Sequence, residues 1–273
     1  MLLSDKTLGH IADMKIAASS QEECDDEGGM PDWHGLQLHA THLLRSPQSS
    51  DFGSRFWRLN ETLVRASEQF PDATLLALVH IPAPATQMYS ATHSMLVACV
   101  CMIVARGTLR WPEAQVRRVG CAALGMNVAM TELQDQLALQ TEPLDAAQIA
   151  AVESHALRSA ELLLAQGIDD PLVLDAVRHH HEYLDGSGYP AQLKGSDISL
   201  GARILVVSDR YSAMIKMRPY RAQAHFPQNA LKEIYLKKDS EIDEEIARIL
   251  ISKVGLLSPG TIVKLKSGEI AVV

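Results

Sequence analysis

The residues best suited to chemistry lie together in the segment 178–190, which reads RHHHEYLDGSGYP. Three consecutive histidines are followed by Glu182 and Asp185, and the chain then enters a glycine-rich turn. A cluster of imidazole and carboxylate groups of this density indicates chemistry rather than packing. The histidines alone allow a plainer interpretation, because His side chains are also favourable at the negative end of a helix dipole.

Two later features extend this cluster: Asp209 in the segment RILVVSD, and the pair Arg218 and Arg221 in RPYR. Between residues 178 and 221 there are seven Lys or Arg residues against four acidic ones, a local balance of +3 in a chain whose net charge is −8. An anionic ligand can therefore find a local basic site in this segment. A solvated basic helix face is the alternative interpretation.

The tail HHE-x-x-DG-x-GYP, together with Asp209 and RPYR, resembles the HD-GYP family of cyclic-di-GMP phosphodiesterases. The resemblance covers roughly residues 72–273 and is strongest between His179 and Arg221. It implies an all-α fold, an HD-type helical bundle, in which two or three metal ions activate a bridging hydroxide to cleave a phosphodiester. Iron, manganese and zinc suit the imidazole and carboxylate ligands of such a site.

The family pattern takes its metal ligands from several separate helices, and five ligand positions carry over to this chain. They are His93, His155, His180, His181 and Asp209. The first of the three consecutive histidines, His179, is assigned to the helix surface instead.

The resemblance also implies a ligand-contacting surface. In the loop Gly188, Tyr189, Pro190, the glycine permits a tight turn and the tyrosine offers a stacking face. Arg218 and Arg221 match the family's phosphate and guanine contacts, for which guanidinium groups are well shaped. The alternative is that the GYP segment only shapes a loop and RPYR only caps a helix.

The His-Asp dyad that gives the family its name has no counterpart here. Where the family reads approximately A-L-L-H-D-I-G-K, residues 123–130 read ALGMNVAM, which places Met126 at the His, Asn127 at the Asp and Met130 at the Lys. A register shifted by one residue restores no dyad either. The acidic residue expected shortly before His93 is also missing.

These absences predict that no intact dinuclear site forms. The Asp of the dyad bridges two metal ions, whereas the neutral amide of Asn127 cannot offset the repulsion between two dications. Met126 offers a soft thioether, which is a poor ligand for hard divalent metals. The remaining five residues can hold one divalent metal, or the histidines can hydrogen-bond one another and Asp209 in a polar core; the sequence leaves both open.

Composition narrows the class of protein. A chain of 273 residues that is 47% hydrophobic can bury one large core, with or without a small appended domain. The net charge of −8 argues against DNA and membrane-surface binding, which need a broad basic field. The four cysteines show no C-x-x-C spacing and the N-terminus does not read as a signal peptide, so a cytoplasmic protein with reduced thiols is expected. The apolar run 95–105 is shorter than the ~20 residues of a membrane span and predicts a buried helix.

Helix signals place the candidate residues on separate elements. Asp145 and Gly167 are suitable caps for a long helix that carries His155, and Asp170 with Pro171 starts the helix that delivers the consecutive histidines. A helix from Ser199 to Lys216 carries Asp209. The Pro-Gly and Ser-Gly turns near the C-terminus, with alternating apolar residues, predict a short β hairpin at about 258–273.

The N-terminal part is less informative. The acidic segment 21–32 and the turn-rich segment 45–54 predict exposed loops, and helices are predicted at 56–70 and 72–80. His39 and His42 are three residues apart but lack an acidic or thiol partner, so a metal site is not favoured there. We therefore divide the chain into a helical and loop region of unknown role, 1–71, and an HD-GYP-like domain, 72–273.

Two functions from different classes follow from the resemblance. The first is a degenerate, catalytically inactive signalling domain that binds cyclic di-GMP, or docks on another signalling protein through the GYP loop. The second is a weakly active metal-dependent phosphodiesterase that opens cyclic di-GMP to pGpG or GMP. A homodimer is compatible with either function.

Overall fold

The computed structural model describes residues 29–81, 88–107, 109–215, 227–238, 240–255, 259 and 261–273. Residues 31–273 belong to one compact unit. The helices are α1 Trp33–Arg45, α2 Phe52–Gln69, α3 Pro71–His80, α4 Tyr89–Arg106, α5 Glu113–Gly125, α6 Thr131–Leu137, α7 Ala146–Ala165, α8 Pro171–Arg178, α9 Leu200–Ile215, α10 Pro227–Leu236 and α11 Glu244–Val254. Single 3-10 turns lie at Val128–Met130 and Gly195–Asp197.

The C-terminus forms the predicted hairpin, in which β1 Ile262–Lys264 pairs antiparallel with β2 Ile270–Val272. The prediction of an all-α bundle with a short C-terminal hairpin is thus confirmed. Arg218 and Arg221 lie outside the described residues.

Helix α4 is the centre of the bundle. Every residue from Tyr89 to Ala105 is buried, and the helix packs against α2, α3, α5 and α9. It is long and apolar enough to cross a membrane, but 94% of its residues are buried inside the fold, which identifies it as a core helix. The apolar run 95–105 therefore belongs to a buried helix, as predicted. Each fully buried aliphatic side chain here contributes about 1.5–3 kcal/mol to the free energy of folding.

Residues 33–45, which lie between the two predicted loop segments and for which no element was predicted, form helix α1. Asp32 caps this helix by accepting a hydrogen bond from the backbone N–H of His34, at 3.1 Å. Its buried face comprises Leu36, Ala40, Leu43 and Leu44, a helical spacing that the sequence contains but that the turn-rich flanks obscured. These leucines join the same hydrophobic cluster as α4. The division of the chain at residue 71 remains a prediction.

The helices that carry the site begin with the caps that the sequence predicts. The side chain of Asp145 accepts a hydrogen bond from the N–H of Gln148, and the Gln148 side chain accepts one from the N–H of Asp145, which forms a capping box at the start of α7. Asp170 accepts hydrogen bonds from the N–H groups of Leu172 and Val173 at the start of α8. These caps fix where each helix begins and hence which way its histidines point.

A buried carboxylate ties three helices together near the site. Asp135 is 5% exposed and accepts a hydrogen bond from Arg45 Nη2 at 2.6 Å through one oxygen. Its other oxygen accepts the backbone N–H of Ser90 at 2.8 Å. Since Ser90 lies in the first turn of α4, Asp135 acts as a cap for the helix that carries His93 and links it to α1 and α6.

We predict that Asp135→Asn lowers the free energy of unfolding by about 1–3 kcal/mol, because Arg45 loses its charged acceptor in a largely buried place. Urea denaturation followed by circular dichroism measures the change. The matched control is Arg248→Gln, which breaks an exposed ion pair with Glu244 and is expected to cost about 0.5 kcal/mol or less. Equal effects of the two substitutions would contradict the role given to Asp135.

Candidate metal-binding site

The centre of the site is a pair of facing imidazole rings. His155 on α7 and His180, just after α8, are each 1% exposed, and their Nε2 atoms lie 3.1 Å apart. The Nδ1 of His155 is bonded to the carbonyl oxygen of Val152, and that of His180 to the carbonyl oxygen of Val177 at 2.7 Å. A carbonyl oxygen only accepts, so Nδ1 carries the hydrogen in both rings. In the neutral rings both Nε2 atoms therefore present bare lone pairs to each other.

Two lone pairs at this distance repel unless a cation lies between or beside them. A proton is disfavoured, since burial lowers the pKa of His155 and lowers that of His180 well below its usual value. A metal ion fits better. One ligand nitrogen from each of His155, His180 and His181 lies within 4.8 Å of the others, and a backbone carbonyl orients two of these rings, as is usual for metal-binding histidines.

His181 completes this group from the side of the GYP loop. Its ring centroid lies 4.1 Å from that of His180 and 4.7 Å from that of Tyr189, whose ring is nearly parallel at 17°. Burial lowers the pKa of His181 to about 4, although the nearby charge of Asp209 acts in the opposite direction. His181 is therefore neutral near pH 7, the form in which imidazole binds metals.

His93 and Asp209 form a hydrogen-bonded pair at the edge of the histidine group. His93 Nε2 lies 2.7 Å from Asp209 Oδ1, with side-chain exposures of 1% and 17%. Burial alone would raise the pKa of Asp209, but the hydrogen bond from His93, together with the electrostatic attraction of the surrounding imidazoles, lowers it. The ionised carboxylate thus accepts the Nε2–H of His93. The five residues predicted as metal ligands therefore lie close together. Nε2 of His93, however, is already used as the hydrogen-bond donor to Asp209.

A cavity of ≈510 Å³ opens beside these residues. Its wall includes His93, His155, His181, Asp209, Tyr189 and Asn127. Met130, which stands where the family has Lys, also lines it, whereas Met126 is fully buried. Of the two dyad positions, Asn127 is the one that reaches the cavity.

Another part of the cavity wall was not predicted. It is formed by the end of α6 and the irregular segment after it, with apolar contributions from Leu137, Ala138, Pro143 and Leu144. Nothing in the sequence of this segment indicates a function, because it holds no cluster of chemically active residues. Only the fold brings it to the same cavity as Tyr189.

The GYP loop, which comprises residues 185–193 around Gly188, Tyr189 and Pro190, lies directly on the histidine segment. A Cβ atom at Gly188 would lie 2.4 Å from the carbonyl oxygen of His181, so only glycine fits at this position. The next residue, Tyr189, donates its backbone N–H to that same oxygen at 3.1 Å, and Pro190 follows it in the loop. His179 lies outside the site and contacts Asp175 through Nδ1 at 2.9 Å.

Comparison with known proteins agrees with this geometry. The HD domain family profile matches residues 78–246. A cyclic di-GMP phosphodiesterase of Pseudomonas aeruginosa is 31% identical over 73% of this chain and 47% of its own length. A 3'3'-cGAMP-specific phosphodiesterase of Vibrio cholerae is 34% identical over 49% of this chain and 29% of its own length. The chain thus spans less than half the length of these relatives.

A solved structure, an HDG"Y"P protein from Bdellovibrio bacteriovorus, superimposes with a TM-score of 0.65 at 14% identity, over 84% of this chain and 74% of that one, which supports the fold. The chain belongs to the HD-domain family. The recognition of an HD-GYP protein is confirmed by the HD-domain match and by the relative named a cyclic di-GMP phosphodiesterase. HD domains bind divalent metals, and the group His155, His180, His181 can hold one.

We predict that His180→Asn weakens divalent metal binding by more than about tenfold, since loss of a direct ligand costs more than loss of an outer-shell partner. Titration of the metal-free protein with Co²⁺, followed by visible absorption, measures the affinity. The control is His179→Asn, the same substitution one residue earlier, which should leave the affinity within about twofold because His179 points to Asp175. Equal losses in both variants would contradict the assignment.

We also predict that the metal-free protein loses stability as the pH falls from 6.5 toward 4. In this range the unfolded chain protonates His181 while the folded protein does not, because burial lowers the folded pKa from 6.5 to about 4. The effect is at most about 1.4 kcal/mol per pH unit for one proton. Urea denaturation at several pH values should give a shallower dependence for His181→Gln than for the wild type. Parallel curves would show that His181 titrates normally in the folded state.

Proposed function

We propose that this chain is a degenerate HD-GYP domain that binds a cyclic dinucleotide, foremost cyclic di-GMP, without hydrolysing it efficiently. The observation that carries the proposal is Asn127, a neutral amide on the wall of the cavity beside His155, His181 and Asp209. A bridging carboxylate is required there for a two-metal reaction, and the side chain present has no negative charge.

Electrostatics supports the loss of the second metal. Two dications about 4 Å apart repel by on the order of 15 kcal/mol at an effective dielectric constant of 20. Among the described residues that line the cavity, the carboxylates are Asp209 and Glu142, and Asp209 is already bonded to His93. One ion has enough ligands and a second does not, so we infer a single divalent ion of iron, manganese or zinc.

The single ion would be held by His155, His180 and His181, with Asp209 as the nearby carboxylate. When bound, it would supply the positive charge that an anionic phosphate requires. Residues of the chain supply the remaining contacts to the ligand. Tyr189, already stacked on His181, offers an aromatic edge for a nucleobase, and the glycine at 188 lets the backbone approach closely.

Further contacts are proposed from the sequence. Arg218 and Arg221 are proposed as the phosphate and guanine contacts, in keeping with the local basic balance of that segment. The exposed tip of the GYP loop, with Asp185 and Ser187, is available to another signalling protein. We further propose a cytoplasmic location and leave a homodimer as an alternative assembly.

The second candidate function is a weak metal-dependent phosphodiesterase. It is favoured by the retained group of three histidines with Asp209 close by, and by the relatives whose names describe phosphodiesterases of cyclic di-GMP and 3'3'-cGAMP. Under this second candidate function, a single ion supports slow cleavage of the cyclic dinucleotide. The two candidates differ in turnover rather than in binding.

Calorimetry with cyclic di-GMP and 3'3'-cGAMP, combined with chromatographic detection of linear products, decides between them. We predict binding without product for the Mn²⁺-loaded wild type. The double variant Met126→His with Asn127→Asp is predicted to gain both a second metal equivalent and measurable hydrolysis, because it restores the bridging carboxylate. His179→Asn serves as the control for protein preparation and for metal loading.

Efficient release of pGpG or GMP by the wild type would contradict the inactive assignment and establish the second candidate. Absence of binding to either dinucleotide, in the presence of metal, would contradict a nucleotide-sensing role and leave only docking on a partner.

A further inference from the structure

Glu182 follows the metal-site histidines directly, yet it is absent from the cavity wall that they form. Its side chain is 1% exposed, which is unusual for a carboxylate. Oε1 accepts the backbone N–H of Ala191 at 2.6 Å, and Oε2 accepts that of Leu193 at 3.0 Å. Both donors belong to the end of the GYP loop. The buried carboxylate of Glu182 thus accepts hydrogen bonds from two backbone amides of the loop.

The backbone between these two donors has an unusual conformation. Gln192 has φ = 54°, in the left-handed region that residues other than glycine seldom adopt. N–H groups on either side of such a residue converge and form a concave anion site. A conformation of this kind persists only where its surroundings hold it, and the carboxylate of Glu182 bonds the N–H groups on both sides of Gln192.

The other end of the loop touches the same short segment. Gly188 packs on the backbone of residues 181–183, and the N–H of Tyr189 bonds to the carbonyl oxygen of His181. The Tyr189 ring then lies against the His181 ring at 4.7 Å. The loop is therefore attached to the segment both before and after Tyr189, and the second attachment depends on Glu182.

We propose that Glu182 is a positioning residue that clamps the GYP loop and so holds Tyr189 against His181. Through this contact it sets the orientation of an imidazole in the metal group and of the aromatic face on the cavity wall. The clamp acts without any ligand. Only its consequence for nucleotide affinity rests on the proposed function.

The test uses NMR of the histidine side chains in the full, metal-free chain. Glu182→Gln keeps the size of the side chain but replaces one acceptor oxygen with an NH₂ group, which cannot accept a backbone N–H. The His181 ring protons should shift, because they lose the ring current of Tyr189, and the amides of residues 191 and 193 should exchange faster with solvent. Tyr189→Leu should move the His181 signals in the same direction. The double variant should add no further shift, since both substitutions remove one contact.

The control is Asp185→Asn in the same loop. Asp185 is exposed and accepts the N–H of Ser187 at 2.9 Å, so its loss should leave the His181 signals in place. If Glu182→Gln does not fold, Glu182→Asp retains the charge with a shorter reach and should give a smaller shift in the same direction. Unshifted His181 signals in a folded Glu182 variant, or additive shifts in the double variant, would overturn the proposal.

The affinity for cyclic di-GMP, measured on the same samples with Mn²⁺, separates this proposal from the proposed function. If both are correct, Glu182→Gln lowers the affinity about tenfold, the scale of one hydrogen bond to a charged group. If the His181 signals shift but no variant, wild type included, binds the nucleotide, the clamp is upheld and the nucleotide-binding function is refuted.

Discussion

The site depends on two unprotonated ring nitrogens that face each other inside the protein. His155 and His180 each use Nδ1 to bond a carbonyl of their own chain segment, which leaves the Nε2 atoms opposed at 3.1 Å. Burial disfavours protonation of either ring, so the repulsion is relieved best by a metal cation. The helix caps at Asp145 and Asp170, and the packing of α7 against α8, hold the two rings in this arrangement.

The same electrostatic reasoning limits what the site can do. A single cation beside three imidazoles needs little further negative charge, whereas two cations need a carboxylate between them. Asn127, on the cavity wall, is a neutral amide, and Asp209 is already hydrogen-bonded to His93. On the proposed function, the site holds a phosphate through one ion and lacks the second ion that efficient cleavage would need. The HD-domain fold and the relatives indicate which class of ligand to test. The charges of the side chains on the cavity wall affect how fast such a ligand would be cleaved.

Much of this site could be predicted from the sequence, because the segment 178–190 and Asp209 carry a specific pattern of ligand types. Which histidine bonds to Asp209 could not be predicted, since 116 residues separate His93 from Asp209 and only the packing of α4 on α9 brings them together. Helix α1 was missed because turn-forming residues surround its apolar stripe. The buried position of Glu182 was equally hidden, as a Glu beside two histidines suggests a ligand and its loop amide partners are nine and eleven residues away.

The most direct test of the central claim is anomalous diffraction from crystals of the chain loaded with Mn²⁺ or Zn²⁺. The account predicts one anomalous peak, within bonding distance of Nε2 of both His155 and His180 and close to His181. Two or more peaks bridged by a carboxylate near Asn127 would contradict it, as would a metal-loaded crystal with no peak between the two rings.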